Sequence, residues 1–221
     1  MSRGPRIALK IGVWGGCLTP LACLVYWGAT DDLTANPIDF VTRTLGDWTL
    51  RCLLASLALT PLRLLTGVAW QMSLRRLLGL FAFFYACLHF SVWIALDHFF
   101  DWPEMLADVL KRPYITVGVA ALGLLLPLAS TSTAGMVKRL GGAAWRRLHR
   151  LVYAIGVLGV LHYLWLAKVG VVDPYVYAAL LALLLAIRLW DWARRRARRL
   201  SASRVAARRG GYHDVAGFGR L

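Results

Sequence analysis

"LHRLVYAIGVLGVLHYLW", residues 148–165, decides the reading of this chain, because an otherwise apolar run carries His149 at its entrance and His162 deep inside it. A run of this kind reads as a helix crossing a bilayer, since roughly 20 apolar residues span a hydrocarbon core of about 30 Å. The same test applied outward along the 221 residues finds six such windows, at about 10–28, 45–62, 77–97, 114–131, 149–167 and 174–191. Composition agrees, with 59% of residues hydrophobic and only 17% charged, far too apolar for a soluble domain. The expected fold is all-α: a polytopic membrane bundle of six transmembrane helices.

Residues 1–9 are expected to form a cytoplasmic N-terminus, 10–191 the transmembrane domain, and 192–221 a basic cytoplasmic tail without fixed structure. The connections leave no room for a second domain, so a soluble nucleotide-binding domain is excluded. The segment 98–113, "HFFDWPEMLADVLKRP", reads as an amphipathic piece lying at the interface. The basic and apolar start resembles a signal peptide, but no small-residue cleavage pattern follows "VYWGATDD", and a retained first helix is expected. Cys17, Cys23, Cys52 and Cys87 all fall in apolar windows without metal-ligand spacing and read as packing residues.

The net charge of +15 does not point to nucleic acid, because eight arginines are concentrated in "RRRARRLSASRVAARR" directly after the last window. A basic cluster there fixes topology and meets anionic lipid head groups. Arg3, Arg6, Lys10, Arg63, Arg75, Arg76, Lys138, Arg139, Arg146 and Arg147 fall on one side of the windows, and most of the acidic residues on the other. The positive-inside rule puts both termini in the cytoplasm, so that the third and fifth spans run outward.

Polar groups in a bilayer are costly, which makes His89, in "FAFFYACLHFSVW", and His162 functional candidates. A neutral imidazole there needs a hydrogen-bond partner or a metal. The plain alternative is an interhelical hydrogen bond. Both histidines, however, lie 12 to 13 residues into outward-running spans, some 18 to 20 Å deep at about 1.5 Å per residue. Imidazoles at one level on two helices suit the axial positions of a haem iron, a six-coordinate centre that transfers electrons. Zinc would want three or four ligands, with Cys, Asp or Glu among them.

His149 precedes His162 by 13 residues, and the same step back from His89 reaches Arg76. A second bis-histidine haem would need a histidine near 76. Instead His149, Arg76 and Arg75, with Arg63, Arg146 and Arg147 at similar depth, resemble an anion site able to hold haem propionates or a flavin phosphate. Such a basic mouth also follows from topology alone. His98, beside Asp97 and Asp101, reads as interfacial and solvated, and His213 in the tail is given no role.

The ordered strings "RRLLGLFAFFYACLHF" (75–90), "KRPYITVG" (111–118), "LASTSTAGMVKRLGGAAWRRLHRLVY" (128–153) and "HYLWLAK" (162–168) resemble the MsrQ (formerly YedZ) family of the ferric-reductase-like transmembrane superfamily. The resemblance runs from about 45 to 190. It implies a bacterial inner-membrane b-type cytochrome that passes electrons to MsrP, a periplasmic molybdopterin enzyme reducing methionine sulfoxide in oxidised envelope proteins. The quinone pool or a cytosolic flavin reductase is the implied donor, and haem b and FMN are the implied cofactors. The family's haem histidines fall on His89, His149 and His162. NADPH oxidases and ferric reductases carry two histidines in each of two spans and a C-terminal flavin and nicotinamide domain. Here Arg76 stands where a fourth histidine would, and only about 30 residues follow the last span. An external donor is therefore expected, with methionine sulfoxide reduction left to the partner subunit.

Two rivals remain at this stage. One is a transporter using the buried histidines as a proton or metal path, against which stand the lack of an internal repeat, a broken helix pair or an intramembrane carboxylate. The other is a membrane anchor in which the histidines merely join helices.

Overall fold

The computed structural model describes residues 3–68, 70–168 and 170–217, the side chains of 3, 5, 6 and 202–217 excepted. Among them the elements are α1 (Arg3–Ala29), α2 (Pro37–Thr66), a 3-10 turn (Trp70–Leu74), α3 (Arg75–Val92), a π-helical turn (Trp93–Asp97), α4 (Trp102–Lys111), α5 (Pro113–Ser130), α6 (Ala134–Leu140), α7 (Gly142–Leu148), α8 (Leu151–Leu166) and α9 (Asp173–Gly217), with no strand. Six stretches are long and apolar enough to cross a membrane: 7–29, 37–66, 70–97, 113–130, 142–166 and 173–201. Each expected window falls within or against one of them.

Local chemistry sets the ends. The Asn36 side chain accepts from the Asp39 backbone N–H at 3.3 Å, Pro37 opens α2, and Gly67 at φ 70° closes it with its N–H on the Arg63 carbonyl. This helix starts well before the expected 45, and Asp39 pairs with Arg43 one turn on at 2.8 Å in the added stretch. Asp101 caps α4 by accepting from the Glu104 N–H at 3.0 Å. Phe99 and Phe100, both at positive φ, reverse the chain into it. Gly141, at φ 77°, separates α6 from α7, and a further break at His149 separates α7 from α8.

The 182–217 stretch is helical where composition suggested a structureless tail; Arg and Ala are strong helix formers. Residues 218–221 and the His213 side chain lie outside the described residues.

Up to Leu181, α2 packs chiefly on α3 and α5 chiefly on α8, with α3 on α5 and α2 on α8 closing a four-helix core. Leu57 and Ala82 are wholly buried there. Tyr85 is too, and its hydroxyl donates to the Cys17 carbonyl at 2.5 Å, tying α3 to α1. The four cysteines are free thiols, Cys17 and Cys52 buried and Cys23 and Cys87 half-buried. Outside the core the polarity is inverted: Ile7, Ile11, Trp14 and Val25 of α1 and Tyr175, Val176 and Leu180 of α9 are exposed. Apolar belts of that extent need lipid rather than water.

Candidate functional site

Between α2, α3, α5 and α8 lies a cavity of about 310 Å³, and His89 of α3 and His162 of α8 both line it. Their ring centroids are 6.2 Å apart and their planes 84° from parallel. Two imidazole nitrogens on opposite sides of one metal ion, each about 2 Å from it, would put the ring centres roughly 6.3 Å apart. The observed spacing leaves room for one metal ion between the two rings.

Both rings are held alike. His89 Nδ1 donates to the Thr42 carbonyl at 2.8 Å, and His162 Nδ1 donates to the Tyr114 carbonyl at 2.7 Å. A carbonyl can only accept, so each Nδ1 carries the proton and each Nε2 keeps its lone pair, the tautomer a metal requires. One helical turn beyond each carbonyl stands a glycine. A Cβ at Gly46 would lie 3.3 Å from His89 Cε1 and Nδ1, and one at Gly118 would lie 2.9 Å from His162 Nδ1. The two imidazoles therefore rest against bare helix backbone, where any other residue would crowd them. Carbonyl and histidine are separated by 47 residues in the first hairpin and 48 in the second, so α2 with α3 and α5 with α8 repeat one construction.

Sequence reasoning found the two histidines and missed Thr42, Gly46, Tyr114 and Gly118. The available signal was a glycine inside each of two apolar helices, four residues after the anchoring carbonyl. Among the described residues, no group of three or more His, Cys, Asp or Glu could hold a metal ion. This leaves the two-imidazole set as the arrangement suited to a metal, and a macrocycle supplying the remaining ligands fits it.

The other expected residues lie elsewhere. His149 closes α7, half-buried, and does not line the cavity. Its ring stacks on Trp145 at 4.0 Å, and its Nε2 is 3.1 Å from Thr131 Oγ1. The Thr131 hydroxyl gives its own proton to the Pro127 carbonyl at 2.5 Å, so His149 is the donor of that pair. The Trp145 indole N–H donates to the Thr131 carbonyl at 3.0 Å and completes the knot. Arg75 is half-buried, close enough for its charge to act on His149, and its carbonyl accepts from Ser56 Oγ at 3.0 Å. Arg76 is exposed.

At the opposite end Asp39, Arg43, Asp97 and Arg112 line the cavity mouth. His98 stands beside this mouth and corrects the expectation of a solvated residue: only 9% exposed, it is packed on Trp93 with ring centroids at 4.5 Å. The chain reversal at Phe99 and Phe100 folds α4 back over it, which sequence spacing does not reveal.

Residues 45–160 match the family described as ferric reductase like transmembrane component. The chain is 54% identical over 196 residues to the protein-methionine-sulfoxide reductase heme-binding subunit MsrQ of Herminiimonas arsenicoxydans, covering 86% of this chain and 89% of that one. It is 52% identical to the MsrQ of Ralstonia nicotianae, over 86% and 88% of the two chains, and 56% identical to that of Rhodospirillum rubrum, over 85% and 90%. The six apolar helices make it a multi-pass membrane protein, and bacterial relatives are consistent with an inner-membrane location. With the ferric-reductase match covering residues 45–160 and these relatives covering most of its length, the chain belongs to the MsrQ family of ferric-reductase-like transmembrane proteins.

Proposed function

We propose that the chain is a b-type cytochrome of the bacterial inner membrane that carries electrons from the cytoplasmic or quinone side to a periplasmic methionine sulfoxide reductase of the MsrP, molybdopterin type. A single observation carries this reading: two imidazoles at 6.2 Å, each with Nδ1 tied to a backbone carbonyl and Nε2 left bare. The relatives' name, heme-binding subunit, agrees with it.

His89 and His162 would hold haem b. A haem held there would supply a one-electron couple. Thr42 and Tyr114 fix the tautomer, Gly46 and Gly118 let the rings lie against the helices, and Leu122, Leu125 and Ile155 keep the cavity lining apolar. Catalysis of sulfoxide reduction belongs to the partner.

The basic ends of the spans, with Arg63, Arg75, Arg76, Lys138, Arg139, Arg146 and Arg147, support a cytoplasmic placement of the His149 end and both termini. Arg75 and Arg76 as cations beside the stacked His149 and Trp145 rings are chemistry suited to FMN or to the carboxylates of a second haem. Electrons would enter at this end from the quinone pool or a cytosolic flavin reductase. The basic stretch after the last span meets anionic lipid.

The test is the dithionite-reduced minus oxidised visible spectrum of the purified chain, with haem and released flavin quantified on the same sample. A b-type spectrum that His162→Ala abolishes supports the reading. A colourless protein overturns it and returns the histidines to a transport or structural role.

A further inference from the structure

His98 takes no part in the function proposed above, yet it is a buried imidazole between two carboxylates. Its Nε2 lies 3.3 Å from Asp108 Oδ2. A carboxylate only accepts, so Nε2 carries the hydrogen and, in the neutral ring, Nδ1 is bare. That Nδ1 is shut off from solvent, has no hydrogen-bond partner and faces Asp97 Oδ2 at 3.8 Å. A lone pair turned toward a carboxylate is repulsive, and a proton placed on Nδ1 converts the same contact into an ion pair.

The charged groups around His98 are few. Asp97 faces it from the π-helical turn and Asp108 from α4. Arg112, at the α4 to α5 junction, binds the other Asp108 oxygen at 3.2 Å and the Tyr114 hydroxyl at 3.3 Å. Asp101 is engaged in capping α4, and the Trp93 ring over the imidazole is uncharged.

Two connections lead from this cluster to the histidine pair. Asp97 and Arg112 both line the cavity that His89 and His162 share. Arg112 is also the residue from which α5 starts, and the first turn of α5 carries the Tyr114 carbonyl that holds His162 Nδ1.

We infer that His98, set between Asp97 and Asp108, is a redox-linked proton site: it takes up a proton when the haem cavity gains an electron and releases it when the electron leaves. The electron comes from the donor side described above and the proton from solvent by way of the Asp97 carboxylate, which faces Nδ1 and is itself 59% exposed. The N–H bond forms at His98 Nδ1, and no bond in the chain breaks. One negative and one positive charge thus arrive together, which lowers the cost of adding charge to a low-dielectric interior. Imidazole is the side chain whose charge changes in the range where this coupling is of use.

The inference rests on the haem reading, and the experiment separates the two. The midpoint potential of the haem-loaded full-length chain is titrated from about pH 5 to 8.5 in the unaltered protein, in His98→Gln and in Asp97→Asn. The unaltered potential is expected to fall as pH rises. His98→Gln should lose this dependence while keeping its haem and its absorption bands. Asp97→Asn, which removes only the carboxylate facing Nδ1, should move the dependence to lower pH. A haem-loaded protein whose potential ignores pH overturns the coupling alone, as does a His98→Gln or Asp97→Asn protein with the unaltered profile. An unaltered chain that binds no haem overturns the coupling together with the reading beneath it.

Discussion

Replacing Gly118 with alanine is the sharpest probe of the histidine cradle. The new Cβ would stand 2.9 Å from His162 Nδ1 and 3.0 Å from Cε1, inside the distance at which real side chains meet. The ring must turn away, and the 2.7 Å bond to the Tyr114 carbonyl goes with it. Losing that bond costs about 1 to 2 kcal/mol, and an off-rotamer ring about 1 kcal/mol more. The sum, roughly 2 to 3 kcal/mol, corresponds to haem held about 30- to 150-fold more weakly. Helix propensity runs the other way, since alanine in place of glycine stabilises a helix by about 0.5 to 1 kcal/mol. Haem affinity should therefore fall, and in the haem-free chain the helix gain should offset only part of the same bond loss. The assay is haem loss to an excess of a scavenger protein, followed at the Soret band. Gly123→Ala, where a Cβ meets nothing within 4 Å, is the control. Unchanged haem retention in Gly118→Ala, or an equal loss in Gly123→Ala, refutes the cradle.

Gly46→Ala, with its contacts at 3.3 Å, should weaken haem binding in the same direction but by less, about three- to tenfold in the same assay. His89→Ala should abolish most of the haem absorbance, and a normal spectrum from it would remove that residue from the site. His149→Ala should keep the haem between His89 and His162 while losing cofactor bound at the opposite end, read by quantifying haem and flavin together; loss of all haem would contradict the separation of the two sites. Tyr85→Phe removes the hydroxyl that reaches Cys17, costing about 1 to 2 kcal/mol and a few degrees of melting temperature in detergent, with the spectrum intact.

The bundle and the histidine pair were legible because both are written in properties that sum along a helix. Hydropathy marks the spans, and rise per residue gives the common depth of His89 and His162. The partners of those histidines were hidden for the opposite reason. A backbone carbonyl has no sequence signal, and the glycine beside it looks like any tolerated helical glycine until the facing ring is known. His98 was misjudged because its environment comes from Asp108, ten residues on, across a reversal at two phenylalanines that no turn preference announces. The expected start of α2 at 45 left out Asp39 and Arg43, which pair one turn apart at 2.8 Å.

The repeated construction has a consequence for how the protein is assembled. Each histidine is oriented by the helix that precedes it within its own half, α2 for His89 and α5 for His162, so neither needs the other half to adopt the metal-ready tautomer. Residues 37–97 and 113–166 are thus two separately primed jaws joined through α4. The two halves already pack as α3 on α5 and α2 on α8, so a group held by both histidines would add one tie across a seam that the helices themselves have closed.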